Sequence, residues 1–374
     1  MSVISIVPRL PPAIDGVGDY ALHLAHQLAT HFQIKNHFIV GDPSWQNNEH
    51  LLGFPATAVA ERSQNAIWAA LQHAPPSTTI LLHYVGHGYA KRGCPFWLVN
   101  GLEQWKQGHP NLQVVTMFHE LYAVGMPWHY DFWLSSTQKQ LAARVSYLSD
   151  RCLTSTERYA KTLDRLSHGK HSQVPILPIF SNMGEPPHVL PLSERQPRLV
   201  IFGQYHTKQR VYQESLSTLA AICQALKIKE IWDIGPTTHL SPSAINNIPV
   251  IEVGQQSATE VSKILASSMV GFLNYDPKRL AKSGVFAAYC AHGLIPVNQQ
   301  KKSGVTDSLE VGKHYWTIEP HSPLLPSTED WQAIATNAHR WYQTHNLSIQ
   351  AQMFAHYIQG HTYFLSSPVE NNIN

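Results

Sequence analysis

Residues 3–29 read VISIVPRLPPAIDGVGDYALHLAHQLA, and this stretch decides the class of fold that we predict. Its first five residues are apolar and mostly β-branched, apart from Ser5, and they predict a short buried strand. The helix predicted over 19–29 rests on apolar residues at i, i+3, i+4 and i+7, which are Ala21, Leu24, Ala25 and Leu28. A buried strand, a loop and an amphipathic helix in this order form the repeating unit of α/β proteins.

The same unit returns along the chain. Further short apolar runs predict strands at 37–40, 78–83, 114–118, 152–154, 176–179, 199–202, 231–234, 250–253, 270–273 and 294–297. Segments between them predict helices at 97–108, 141–148, 209–226, 259–267, 284–291 and, as a closing pair, within 330–364. Apolar strands that alternate with helices indicate a parallel sheet covered on both faces.

The alternation breaks once, at 181–197, where SNMGEPPHVLPLSERQP is rich in proline and polar residues. A chain of 374 residues is long enough for two domains. We therefore predict a Rossmann-like domain at 1–180, a linker at 181–197, a second Rossmann-like domain at 198–345, and a closing helix and tail at 346–374. The predicted fold class is α/β, with two doubly wound domains facing a central cleft.

Composition excludes several classes of function. Charged residues make up 14% of the chain, and 27 Lys and Arg against 25 Asp and Glu leave a net charge of +2, which disfavours a nucleic-acid partner. Four cysteines lie about 60 to 70 residues apart without a CxxC pair, which is typical of a reducing compartment. Neither a signal peptide nor a membrane-spanning apolar run is visible, so a cytoplasmic protein is expected.

The 23 histidines raise the question of a metal site. An HExxH zinc motif would need a second histidine four positions after His119, where Ala123 stands. His83 and His87 are four residues apart, but the glycines on both sides of His87 disfavour the helix that would align them as ligands. We therefore expect no metal, and we interpret His83 as a hydrogen-bonded residue at a strand end.

Ligands of doubly wound sheets bind where strands end, so the loop at 8–18 is the first candidate. Gly16, Gly18 and Ala21 match the G-x-G-x-x-A pattern of dinucleotide sites, but about eight residues separate the strand from Gly16. A glycine-containing loop near an anion or a sugar therefore fits better. A helix cap without a ligand and a nicotinamide-dependent oxidoreductase that uses Asp42 stay open as alternatives.

His119 and Glu120 directly follow the strand predicted at 114–118. A histidine and a carboxylate at a strand end can orient a sugar hydroxyl or share a proton. We predict that both are catalytic.

Two basic segments in the second domain are candidates for binding phosphate. Residues 203–210 read GQYHTKQR, and they are predicted to place Lys208 and Arg210 on a loop that faces the cleft. Lys282 and Ser283 precede Gly284 at a predicted helix start, where a serine cap and free N–H groups form an anion site. Solvated basic residues at the start of a helix are the alternative for the first segment.

Together these segments resemble the GT-B glycosyltransferases of glycosyltransferase family 4, also called glycosyl transferases group 1. The similarity follows the order of elements over most of the chain. The segments that carry it are PPAIDGVGDYALHLA at 11–25, VVTMFHE at 114–120, PIFSNMG at 178–184, the glycine and basic loop at 203–208, and AHGLIPV at 291–297.

The resemblance implies transfer of a sugar, with retention, from a nucleotide-diphosphate donor to a hydroxyl acceptor in polysaccharide or glycoconjugate synthesis, without a cofactor. The acceptor would be a glycan, a lipid-linked molecule or a small molecule. By the matched motifs, Lys208 would neutralise the diphosphate, and Gly16 and Gly18 would shape the loop near the sugar. His119 would contact the sugar or the acceptor. Ser283 and Gly284 would offer main-chain donors to phosphate.

The chain also departs from that family, which places it in a divergent subgroup. Leu280 and Ala288 stand where the family usually carries two glutamates, and an expected arginine is missing, for which Arg210 or Lys282 could substitute. The missing glutamates keep open a catalytically silent GT-B domain that binds a nucleotide sugar or a glycan.

An aromatic cluster in the first half of the chain has two interpretations. It is either a loop folded over the first-domain cleft or a peripheral membrane contact, and its members are Trp128, Tyr130, Phe132 and Trp133.

Overall fold

The computed structural model describes residues 1–46, 50–72, 78–123, 130–300, 304–318 and 327–360. The chain divides into two compact units. The first contains Met1–Thr154, Arg158–Ile176 and the segment that begins at Leu347, and the second contains Ser155–Glu157 and Leu177–Asn346. Each unit has its own sheet.

The sheet of the first unit is doubly wound. Its strands are β1 (Ser2–Val7), β2 (Lys35–Val40), β3 (His50–Leu51), β4 (Phe54–Ala58), β5 (Thr78–Tyr84), β6 (Val114–Phe118) and β7 (Arg151–Thr154). They lie in the order β3-β4-β2-β1-β5-β6-β7, and all pairs are parallel except β3 with β4. Because β1 lies between β2 and β5, the winding reverses at β1.

Helices cover both faces of this sheet. They are α1 (Gly16–Phe32), α2 (Gln64–Gln72), α3 (Gly86–Tyr89), α4 (Phe96–Gly108), α5 (Tyr130–Leu148) and α6 (Glu157–Leu166). The predicted apolar face of α1 is confirmed, since all four of its residues are buried. The other face of the sheet packs against α2 and α4, where Trp105 is fully buried.

The second unit repeats this plan. Its strands are β8 (Gln196–Phe202), β9 (Glu230–Ile234), β10 (Ala244–Ile245), β11 (Ile248–Gly254), β12 (Ser268–Leu273) and β13 (Ile295–Asn298), in the order β10-β11-β9-β8-β12-β13. Among the named strands of the described residues, β10 and β11 pair antiparallel and the other neighbours pair parallel. Its helices are α7 (Tyr205–Glu214), α8 (Leu216–Ala225), α9 (Ala258–Ser267), α10 (Gly284–Ala291) and α11 (Thr328–Gln343).

The last helix, α12 (Leu347–Ile358), belongs to the first unit and packs on α1. Its final carbonyls have partners there: Thr79 Oγ1 donates to Ile358 O at 3.2 Å, and Gln113 Nε2 donates to Tyr357 O at 2.9 Å. Carbonyls at a helix end have no partner within the helix, so these bonds hold α12 against the sheet.

The predicted α/β class with two doubly wound units is confirmed, but several predicted elements are wrong. Residues 176–179 form no strand beyond one bridge from Ile176 to Thr154, because Pro175 and Pro178 lack N–H donors and Ile179 N bonds to Ala281 O. The helix predicted at 209–226 is two helices that meet at Ser215. Three helices (α2, α3 and α6) and two edge hairpins were not predicted.

Within the described ranges, no helix combines the length and the apolarity that crossing a bilayer requires.

Three buried histidines make stability depend on pH. Burial lowers the pKa of His83 to about 3, of His292 to about 4 and of His345 to about 3. An unfolded histidine binds a proton below about pH 6.5, so the unfolded chain binds more protons and stability falls as the pH falls below that value.

We expect His345→Phe to remove one such group. Relative to the wild type, the variant gains stability as the pH falls from 7 to 5, by about 1.4 kcal/mol per pH unit at most. Thermal unfolding at several pH values measures the difference, and His26→Gln at an exposed position is the control. Parallel Tm profiles for the wild type and His345→Phe would contradict the expectation.

Candidate functional site

The residues predicted to bind or react lie at the carboxyl edges of the two sheets. In the first unit they follow β1 and β6: Gly16, Gly18, His119 and Glu120. In the second unit they follow β8 and β12: Lys208, Arg210, Lys282, Ser283 and Gly284. The winding reverses between β1 and β5 in the first sheet and between β8 and β12 in the second, so the loops after β1, β8 and β12 border these points and β6 lies one strand away. Ligands of doubly wound sheets bind at such reversal points.

The loop after β1 is closed onto its helix by Asp15. The Asp15 carboxylate accepts hydrogen bonds from Val17 N at 3.0 Å and Gly18 N at 2.9 Å, so it caps α1. A Cβ atom on Gly18 would lie 2.2 Å from the carbonyl oxygen of Arg9, so only glycine fits, whereas Gly16 faces open space. A pyrophosphate would have to displace Asp15 from these N–H groups, which gives the oxidoreductase alternative no support.

Asp42, the acidic residue that this alternative would use, is already ion-paired. Its carboxylate lies 3.7 Å from Arg9 and 3.8 Å from Arg62, and Arg9 also lies 3.8 Å from Asp15.

Asp19, in the first turn of α1, is a candidate residue that the sequence reasoning missed. Its side chain is half-buried, and burial together with the charge of Asp15 raises its pKa to about 6. A helix N-terminus ordinarily favours the ionised form of an acidic residue, so burial outweighs the helix dipole here. A carboxyl group that titrates near neutrality is a candidate acid or base. The signal in the sequence was an acidic residue directly after the second glycine of the loop.

His119 is nearly buried and pairs with His83. The Nε2 atom of His119 lies 3.2 Å from Nδ1 of His83, and the two rings stack with centroids 5.5 Å apart. The sequence reasoning treated His83 as a separate strand-end residue, but adjacent strands bring the two rings together. Glu120 is half-buried beside them.

In the second unit, two helix N-termini meet beside Gly203. A Cβ atom on Gly203 would lie 3.2 Å from Thr207 in α7 and 3.4 Å from Val285 in α10. Ser283 caps α10 through a bond from Phe286 N, as predicted. The first turn of α7 receives no side-chain cap from Gln204.

Lys208 does not lie on an open loop. It belongs to α7, its side chain is 1% exposed, and it forms an ion pair with Asp233, which also accepts a hydrogen bond from Tyr212 Oη at 2.7 Å. The prediction of a free cation at this position is wrong, because its partner Asp233 lies 25 residues further along the chain, in β9. Arg210, in the same helix, is exposed, and Lys282 is half-exposed.

The helix α10 is anchored at the reversal point by Tyr289. Its hydroxyl accepts from Phe202 N at 3.1 Å and lies 3.1 Å from the carbonyl oxygens of Val200 and Phe272. Ala288, where the resembled family carries a glutamate, is fully buried, and so is Leu280 at the other glutamate position.

Among the described residues, no three or more His, Cys, Asp or Glu side chains are grouped so that they could hold a metal ion. Of the aromatic cluster, Trp128 lies outside the described residues, and Trp133 is 72% exposed on α5.

In sequence comparisons, no protein-family profile and no curated protein matches the chain. Solved structures do match. Trehalose-6-phosphate synthase is 12% identical over 97% of this chain and 100% of that one, with a TM-score of 0.63. An alpha-glucosyltransferase in complex with UDP is 11% identical over 96% and 99%, with a TM-score of 0.58. A putative UDP-N-acetylglucosamine 2-epimerase from Listeria monocytogenes is 12% identical over 98% and 99%, with a TM-score of 0.60. The chain thus has the GT-B type of fold, built from two Rossmann-like units.

The ion pair of Lys208 and Asp233 predicts a stability effect. Lys208→Met leaves a buried carboxylate without its cation, so we expect a loss of about 3–5 kcal/mol. The double variant Lys208→Met/Asp233→Leu recovers most of that loss, because no charge stays buried. Urea unfolding measures both, and Arg210→Met, an exposed change in the same helix, is the control. Equal stability of Lys208→Met and wild type would show that the ion pair does not stabilise the fold.

Asp19→Asn is expected to raise the melting temperature at pH 8 and to leave it unchanged at pH 4. The pKa of Asp19 is about 3.9 in the unfolded chain and about 6 in the folded protein, so the unfolded chain releases this proton first. Stability therefore falls as the pH rises from about 4 to about 6, and the loss stays constant above that range. Asp164→Asn, at a half-buried position in α6, is the control. A lower melting temperature at pH 8 would show that the Asp19 carboxylate stabilises the fold.

Proposed function

We propose that this chain is a glycosyltransferase that moves a sugar from a nucleotide-diphosphate donor to a hydroxyl acceptor. The observation that carries the proposal is the meeting of two helix N-termini, of α7 and α10, beside Gly203 at the reversal point of the second sheet. N–H groups at helix N-termini bind phosphate, and the absence of a side chain on Gly203 allows a ligand to approach the backbone.

This arrangement acts on the leaving group. Breaking the bond from the sugar to the diphosphate places negative charge on a phosphate oxygen, and fixed donors lower the energy of that charge. Main-chain N–H groups of α7 and α10 would supply the donors, and Arg210 and Lys282 would supply positive charge. Lys208 would act indirectly, by holding α7 to β9 through Asp233.

In the first unit, the proposal assigns the sugar or the acceptor to His119 and Glu120, with Gly16 and Gly18 shaping the nearby loop. Asp19 would accept or donate a proton near neutral pH. The finer assignments follow the resemblance to glycosyltransferase family 4. Transfer would retain the configuration at the transferred carbon and would need no cofactor or metal. The acceptor would be a glycan, a lipid-linked molecule or a small molecule, in polysaccharide or glycoconjugate synthesis. A cytoplasmic location and a membrane contact through exposed Trp133 belong to the same proposal.

A catalytically silent nucleotide-sugar-binding domain is the second candidate. Leu280 and Ala288 favour it, since each of these buried apolar residues stands where the resembled family carries a glutamate.

Binding and turnover together test the proposal. We expect one of UDP, GDP and ADP to raise the melting temperature of the full chain, and NAD to leave it unchanged. Arg210→Ala is expected to weaken binding of that nucleotide about tenfold to 100-fold, the loss of a charged hydrogen bond. Lys229→Ala, at an exposed position that precedes β9, is the control.

Incubation with the matching nucleotide sugars and a panel of acceptors should release the nucleoside diphosphate, and NMR of the product should show retention. Binding without release under all conditions would favour the silent domain, and a shift with NAD alone would contradict the proposal. Interconversion of the nucleotide sugar without transfer would identify an epimerase instead.

A further inference from the structure

We propose that His83 is a positioning residue, which holds His119 in the tautomer that carries its proton on Nδ1. The other ring nitrogen of His119, Nε2, then accepts the hydrogen bond from His83, so the neutral ring offers no nitrogen lone pair as a base. The functional part of this inference rests on the proposed function, and the tautomer itself does not.

The two rings are held in place from several sides. His83 lies in β5 and pairs in register with Met117 of β6, and His119 continues β6 with a backbone bond from its N to Tyr84 O at 3.0 Å. The ring of Tyr20, from α1, meets both imidazoles edge-on, at 5.8 Å from His83 and 5.0 Å from His119.

Tyr20 is fixed in turn by α12. Its hydroxyl donates to Gln350 Oε1 at 2.5 Å, and both side chains are buried. The imidazole pair therefore sits between two strands and a tyrosine that cannot turn without breaking a buried hydrogen bond.

The proton on His83 has only one favourable position. His83 is fully buried, and burial lowers its pKa to about 3, so the ring is neutral near pH 7 and carries one N–H. Its Nε2 atom is buried and has no hydrogen-bond partner, whereas its Nδ1 atom faces His119. A proton on Nε2 would leave a buried donor unpaired, which is disfavoured, while an unprotonated Nε2 leaves only an unused lone pair.

The tautomer of His119 follows from that of His83. If Nδ1 of His83 donates across the 3.2 Å separation, Nε2 of His119 must accept. A proton on Nε2 of His119 would place two N–H donors opposite each other with no acceptor between them. A neutral His119 therefore carries its proton on Nδ1.

The test reads the tautomer directly. Two-bond ¹H–¹⁵N spectra of the full chain labelled at histidine distinguish protonated from unprotonated ring nitrogens, and His119→Gln assigns the His119 signals. We expect Nδ1 of His119 to be protonated and Nε2 to be unprotonated at pH 7.5. Observation of the opposite pattern in the wild type would overturn the inference, whether or not the protein transfers sugar.

Two substitutions separate positioning from packing. In His83→Asn the side-chain amide nitrogen can occupy the place of Nδ1 and donate to His119, so the tautomer and the activity should be kept. His83→Leu removes the donor, so both tautomers of His119 should appear, and kcat/KM for the sugar donor should fall about tenfold to 100-fold. His292→Asn, at a buried histidine of the second unit, is the control and should leave the His119 signals unchanged.

Circular dichroism and thermal unfolding establish that each variant is folded. If His83→Leu is folded and shows the same His119 tautomer and the same activity as the wild type, His83 has no positioning role. If the wild type transfers no sugar but shows the expected tautomer, the proposed function fails and the tautomer assignment stands.

Discussion

The parallel pairing of β1 with β5 and of β8 with β12 is the constraint on which both candidate edges depend. Ile6 pairs with Leu82, and Ile201 pairs with Phe272, across 76 and 71 residues of sequence respectively. Parallel neighbours must be joined by a crossover, so every loop that follows a strand arrives at the same edge. Residues that are far apart in the chain become neighbours there.

The chain has few charges, and it buries some polar groups in matched pairs. Lys208 meets Asp233 under the Gly203 turn, and His83 meets His119 beside Tyr20. Burying an ionised or polar group without a partner costs free energy, and in both pairs the partner comes from a different part of the chain, although Nε2 of His83 has no partner. Lys208 is therefore fixed in the core by its buried partner, while Arg210 in the same helix is exposed.

Local patterns predicted much of the fold. The apolar face of α1, the serine cap of α10 and the start of β6 at Val114 follow from spacing and composition within a few residues. Helix α6 (ERYAKTLDRL) was not predicted, because its few buried residues lie among charged ones. The strand expected at 176–179 failed because its prolines cannot donate to a ladder.

The sequence by itself determined the α/β class, the two-unit organisation and a set of candidate loops that follow the strands. It did so because hydrophobic periodicity, caps and glycines act over a few residues of chain. Only the tertiary structure decided which members of those loops are available: it buried Lys208 on Asp233, joined His83 to His119 and raised the pKa of Asp19. Burial and partners across strands set charge and proton position, and neither is encoded in local spacing.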